Sequence, residues 1–82
     1  MAYLLCYDIE ELDERRYAIQ DRNVIDNLRR LGGSRLQGSV WYFDTNDPQQ
    51  LVAAVNHLFM REDRVVLVHA KSFEIVHNPI EH

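Results

Sequence analysis

A chain of 82 residues supports one hydrophobic core and not two, because dividing so little buried surface leaves neither half stable. Hydrophobic residues make up 46% and charged residues 27%, a globular balance that excludes a disordered or low-complexity chain. A formal net charge of -4 argues against indiscriminate binding to nucleic acid, which draws on a general excess of Lys and Arg.

The spacing predicts a first strand over residues 2–9, with Tyr3, Leu5, Tyr7 and Ile9 on one side and Leu4, Cys6 and Asp8 on the other. Both sides are largely apolar, as in a central strand covered on two faces. After the polar run "EELDERR", Tyr17, Val24, Ile25, Leu28 and Leu31 recur at helical spacing. That helix can be capped at Asp13, or only later at Asp21 or Asn23. It stops at Gly32 and Gly33, where a left-handed cap brings no side-chain clash.

The segment "SRLQGSVWYFDT" reads as a short strand over residues 35–37 and a longer one over residues 39–45, joined or bulged at Gly38. "TNDPQQ" is a helix start, with Asn46 or Asp47 as cap and Pro48 at the first position. Leu51, Val55, Leu58 and Phe59 continue that helix, which is expected to end near Arg61. "DRVVLVHA", residues 63–70, is a nearly continuous apolar strand that reads as covered on both faces. A further short strand is expected in "SFEIVHN", where Phe73 and Ile75 alternate with Glu74 and Val76, before Pro79 closes the ordered chain.

This order is β-α-β-β-α-β plus one C-terminal strand. It predicts a single α+β domain over residues 1–82 with a ferredoxin-like fold: an antiparallel sheet in the order 4-1-3-2, both helices on one face. The other face is left open, with residues such as Tyr3 or Leu4, Trp41 or Tyr42, and Val66 or Leu67 on it. A homodimer joined sheet to sheet would cover that surface, and the added strand at residues 73–76 could pair with the partner's sheet edge. No apolar run approaches the roughly 20 residues that span a bilayer. No basic segment followed by a secretory core opens the chain, and a cytoplasmic protein without membrane contact is expected.

The topology also gathers chemistry. The first strand runs antiparallel to both neighbours, so its end at Asp8 lies near Ser39 and near Asp63 and Arg64. A two-fold axis through the sheet face would bring a second Asp8 close. Two carboxylates can hold a hard divalent cation such as Mg²⁺, which polarises a phosphodiester and activates water. Ser39 can orient the phosphate and Arg64 can neutralise developing charge. The same trio also serves purely structural ends, with Asp8 paired to Arg64 or capping the turn that follows.

Six of the nine basic residues, Arg15, Arg16, Arg22, Arg29, Arg30 and Arg35, fall in a segment whose only acids are Asp21 and Asp26. A polyanion could find that basic side, although the pattern equally suits a solvated helix face. Cys6, the sole cysteine, reads as a small buried hydrophobe. His57, His69, His77 and His82 show no spacing that recurs in zinc sites. Trp41 and the tyrosines could stack on bases, but strand aromatics at this density usually build a core or an interface.

"YLLCYDIEE", residues 3–11, resembles the opening strand of the small CRISPR-associated adaptation protein family, the second of the two universal CRISPR integration proteins, whose members commonly end that strand in Tyr-Asp-Ile. "SRLQGSVWYFDT" is similar to the family's second and third strands, with their Arg-x-Gln-x-Ser-Val-aromatic pattern. The chain is also similar to the virulence-associated protein D toxin ribonucleases and to short bacterial relatives of that superfamily. This resemblance, over most of residues 3–70, implies a ferredoxin-like homodimer in which Asp8 is the metal ligand and catalytic residue of a Mg²⁺-dependent nuclease. Ser39 matches the serine before the Val-aromatic pair. The family's first helix usually opens with a dense Lys and Arg cluster just after the aspartate; here Arg15 and Arg16, with Arg64, are the candidate binding residues.

Some members use the same dimer as a non-catalytic scaffold for DNA and a protein partner, so a binding module is the alternative reading. The chain departs from the family in placing Glu10, Glu11, Asp13 and Glu14 between Asp8 and its first arginines. Those carboxylates repel a phosphate backbone unless metal ions compensate. The virulence-protein branch also carries a longer C-terminal region than this chain does.

Overall fold

Strand β1, Ala2–Asp8, alternates between buried and half-buried side chains, and this period of two follows from its pleat. A computed structural model of the chain describes residues 1–77. Helix α1, Glu14–Arg30, takes the earliest of the three possible starts. The Asp13 carboxylate accepts the Arg16 backbone N–H at 2.9 Å and so satisfies a donor that the first helical turn leaves open. At the other end Gly32 adopts φ +91°, the left-handed conformation that favours glycine. Gly33 is needed for a different reason: a Cβ there would lie 2.6 Å from the Phe43 ring.

Strands β2, Ser34–Gln37, and β3, Val40–Asp44, meet at a two-residue turn formed by Gly38 and Ser39. Their register shifts between Arg35 and Gln37, so the irregularity lies at Leu36, two residues before the glycine. Helix α2, Pro48–Val55, begins as expected with Asp47 accepting the Gln50 N–H at 3.0 Å. It does not run on to Arg61. A 3-10 turn at Asn56–Leu58 replaces the last stretch, tightening the chain where Asn56 and His57 have modest helix propensity and turning Leu58 into the core. Strand β4 follows at Arg64–Ala70.

The four strands form one sheet in the order β2-β3-β1-β4, antiparallel at every pairing. This is the 4-1-3-2 order read from the other side. Leu5, Tyr7, Trp41 and Phe43 from the sheet and Val24, Ile25, Leu28, Leu51, Val55 and Leu58 from the helical segments share one hydrophobic cluster. Both helices therefore cover the same face. The opposite face carries Leu4, Cys6, Val40 and Tyr42, all half-buried, and Val66 and Val68, which are 56% and 42% exposed.

Two expectations are corrected. β4 is not covered on both faces, because it is the sheet's edge and the helices do not extend over its full width. Its apolar run reflects β-branched strand residues rather than two-sided burial. Nor does the segment at residues 73–76 form a strand. Lys71 and Ser72 lack the Gly, Asn or Asp that a two-residue hairpin turn demands. The segment lies instead over the open face, where Phe73 meets the Tyr42 ring at a centroid distance of 5.4 Å and Ile75 and Val76 border a groove with Leu4, Leu36 and Val40. Pro79 and His82 lie outside the described residues.

Candidate functional site at the end of β1

Asp8 is the last residue of β1 and is exposed; its side chain falls on the open face by alternation with Leu4 and Cys6. Arg64, the first residue of β4, is its directly opposed strand partner. On the other flank the Ser39 carbonyl accepts the Tyr7 backbone N–H at 3.1 Å, which straps the β2–β3 turn against the end of β1. Asp8, Ser39 and Arg64 thus come together at one end of the sheet, as the topology predicts. Among the described residues no ion pair or hydrogen bond joins the Asp8 carboxylate to Arg64 or to Ser39. Asp8 is a solvated carboxylate rather than half of a fixed pair.

Arg15 and Arg16 are not part of this arrangement. They sit exposed in the first turn of α1, on the helix-covered side of the sheet. Arg16 borders a groove with Glu11, Ile19, His57 and Met60, and that groove does not include Asp8.

The acidic stretch after Asp8 has local work of its own. Asp13 caps α1, and the Glu11 carboxylate accepts the Asp13 N–H at 3.1 Å. Asp63, beside Arg64, is fully engaged as well. It accepts the Glu10 N–H at 3.0 Å, the Met60 N–H at 2.8 Å and the side-chain amide of Gln20. Burial by itself would raise the Asp63 carboxyl, but those three donors hold it below the ordinary value of 3.8. With its lone pairs so committed, Asp63 is a fastening between the β1–α1 loop, α1 and the loop before β4, and not a metal ligand.

Of the two aspartates at this end of the sheet, Asp8 is then the one left for a cation. Among the described residues no three His, Cys, Asp or Glu side chains gather into a metal-binding group. This donor set does not suit zinc, which takes three or four protein ligands. It fits Mg²⁺, which keeps most of its water and needs only one or two carboxylates alongside substrate phosphates.

Trp41 and Tyr7 are core residues, 0% and 6% exposed, so neither offers a stacking platform. Burial raises the Tyr7 phenol above its ordinary 10.0, opposed by the nearby Trp41 side chain. Its hydroxyl reaches the Gly38 carbonyl at 3.5 Å, and Arg35 donates to the same oxygen from Nε at 3.2 Å and from Nη2 at 2.9 Å. The role of Asp63 and this Arg35 anchor were missed in the sequence. Only the Asp63-Arg64 dipeptide at a strand start hinted at the first, and nothing local hinted at the second. No protein-family model matches the chain, and no curated protein matches it. Among the described residues, no helix is long and apolar enough to cross a membrane.

Proposed function

We propose that the protein is a cytoplasmic, ferredoxin-like homodimer that cleaves phosphodiester bonds in nucleic acid with Mg²⁺ held by Asp8 from each protomer. The observation that carries this reading is the position of Asp8: exposed, free of any fixed partner among the described residues, and flanked at one sheet end by Arg64 and Ser39. Mg²⁺ would supply charge neutralisation on the phosphate and lower the pKa of a bound water. Asp8 would hold the ion. Arg64 would bind a phosphate oxygen and offset charge that develops there, and the Ser39 hydroxyl would donate to a second oxygen. The apolar open face, with Val66 and Val68 exposed beside half-buried Cys6, gives a second copy something to cover.

Two features temper the nucleic-acid part and favour a second reading. The net charge is negative, and Arg15 and Arg16 are carried by α1, on the other side of the sheet from the Asp8 side chain. A non-catalytic dimer that docks a protein or nucleic acid through the same faces needs the open sheet but not the carboxylate. Cleavage of single-stranded RNA and of duplex DNA is measured for the wild type and for Asp8→Ala, with Mg²⁺ and with chelator. The catalytic reading expects Asp8→Ala to lose cleavage by at least about 100-fold, in the range seen when a principal transition-state contact is removed, with oligomeric state unchanged. Equal cleavage by both proteins, or none by the wild type, sinks it in favour of the module.

A further inference from the structure

Past Ala70 the chain leaves the sheet's edge strand and lies over the open face without pairing to a strand. We propose that residues 71–76 are a displaceable strap: in the single chain they close the open face of their own sheet, and they must lift off before a second copy can seat there. This inference rests on the homodimer proposed above and gives that dimer its regulation.

The path of the strap follows from the strand register. On the open face Leu4 stands between Val68 and Tyr42, and Cys6 between Val66 and Val40. The strap sets out beyond Ala70, which pairs with Ala2. Phe73 meets the Tyr42 ring at 5.4 Å with the planes tilted by 47°, and Ile75 and Val76 reach a groove of about 410 Å³ with Leu4, Leu36 and Val40. It therefore passes from β4 over the two central strands toward β2, and Val66 and Val68 stay exposed.

Two sheets that pack face to face stand about 10 Å apart with their side chains interdigitated. That spacing holds no third layer of chain, so the strap and a partner's sheet exclude each other over β1 and β3. The strap is also lightly held. Among the described residues, residues 71–76 make no backbone hydrogen bond, and Phe73 and Ile75 are 39% and 50% exposed. A segment with so few buried contacts and no ladder opens locally at small cost. A second copy covers Val66 and Val68 as well as the Leu4 and Tyr42 row, which the strap does not. Both chains must open, so the apparent Kd of the dimer is the intrinsic one divided by the square of the open fraction.

Lys71, at the root of the strap, is the chain's sole lysine, so a protease that cuts only after lysine has one site. The full chain is sedimented across a concentration series and digested in parallel at low protease, where cutting tracks the open fraction. Phe73→Ser, which removes the Tyr42 contact, is expected to be cut about tenfold faster than the wild type when dilute, and its dimer Kd to fall by about 100-fold, the square of that ratio. The wild type is expected to be cut faster as it dimerises. The strap is overturned if the variant dimerises no more tightly than the wild type, or if dimerisation leaves the cutting rate unchanged or lower. Failure of the homodimer reading looks different: all the proteins stay monomeric throughout the series, which overturns the strap with it whatever the cutting rates. Phe73 lies outside the core cluster, so circular dichroism is expected to show the variant folded; Ile75→Ser repeats the test if it is not.

Discussion

Replacing Asp63 by alanine tests the account of the β1 end most directly, because one carboxylate fastens three separate pieces of chain. Glu10 N–H and Met60 N–H are near solvent and can turn to water when the carboxylate is gone, so each is worth toward the lower end of the roughly 1.5 to 3 kcal/mol typical of hydrogen bonds to a charged group. Gln20 is different. Its residue is only 8% exposed, and losing its acceptor strands a buried amide at a cost of about 1 to 3 kcal/mol. Allowing for solvent screening at Asp63, we expect Asp63→Ala to cost about 2 to 4 kcal/mol.

For a chain of this size that loss corresponds to a fall in Tm of roughly 8 to 32 °C, at about 4 to 8 °C per kcal/mol. Urea titration followed by circular dichroism should show a lower midpoint at an unchanged slope. The pH dependence adds an independent check. The folded Asp63 carboxyl lies below its unfolded value of 3.8, so its contribution is complete above that value and is lost as pH falls through the lower folded one. The wild type should therefore lose stability on acidification below about pH 4, and Asp63→Asn should lack that part of the loss. Gln20→Leu combined with Asp63→Ala should cost less than the sum of the two, by about 1 kcal/mol. A cost for Asp63→Ala below about 0.5 kcal/mol, within the scatter of ordinary surface changes, would refute the fastening role.

Gly33→Ala should destabilise by about 1 to 3 kcal/mol in the same urea assay, the overpacking range, because its new methyl meets the Phe43 ring and the Leu28 carbonyl. Tyr7 should ionise above pH 10.0 in an alkaline absorbance titration, as the difference between wild type and Tyr7→Phe shows; its raised phenol favours the neutral form, so its stabilisation is full below pH 10.0 and lost as pH rises through the folded value. Val66→Glu, on the open face of an edge strand, should leave the monomer's urea midpoint within about 0.5 kcal/mol while abolishing any dimer seen by sedimentation. Unchanged sedimentation of that variant would place the dimer contact elsewhere. Arg64→Ala should lower any Asp8-dependent cleavage by about tenfold without changing the fold, since Arg64 is exposed and acts through charge.

Local chemistry carried most of the secondary structure. Asp13 and Asp47 as caps, Gly32 as a left-handed stop and the alternation in β1 are each decided within a few residues, by donors that must be satisfied or by a Cβ that would clash. The sheet order followed from the β-α-β-β-α-β succession because connections of that kind leave few ways to pair four strands. Asp8, Ser39 and Arg64 could be placed together for the same reason.

Tertiary packing decided what depends on neighbours distant in sequence. β4 reads as buried from its valines, yet its exposure depends on where the sheet ends and how far α2 reaches over it. Residues 73–76 alternate like a strand but find apolar contacts on the open face in place of a ladder. Asp63 resembles any acid before a strand until Gln20, 43 residues away, is folded against it. The chain by itself determined four strands and two helices, their order and the location of Asp8. The fold alone determined that Asp63 is engaged by three donors while Asp8 is not paired with Arg64, because hydrogen-bond acceptance is a property of distances that sequence spacing does not contain.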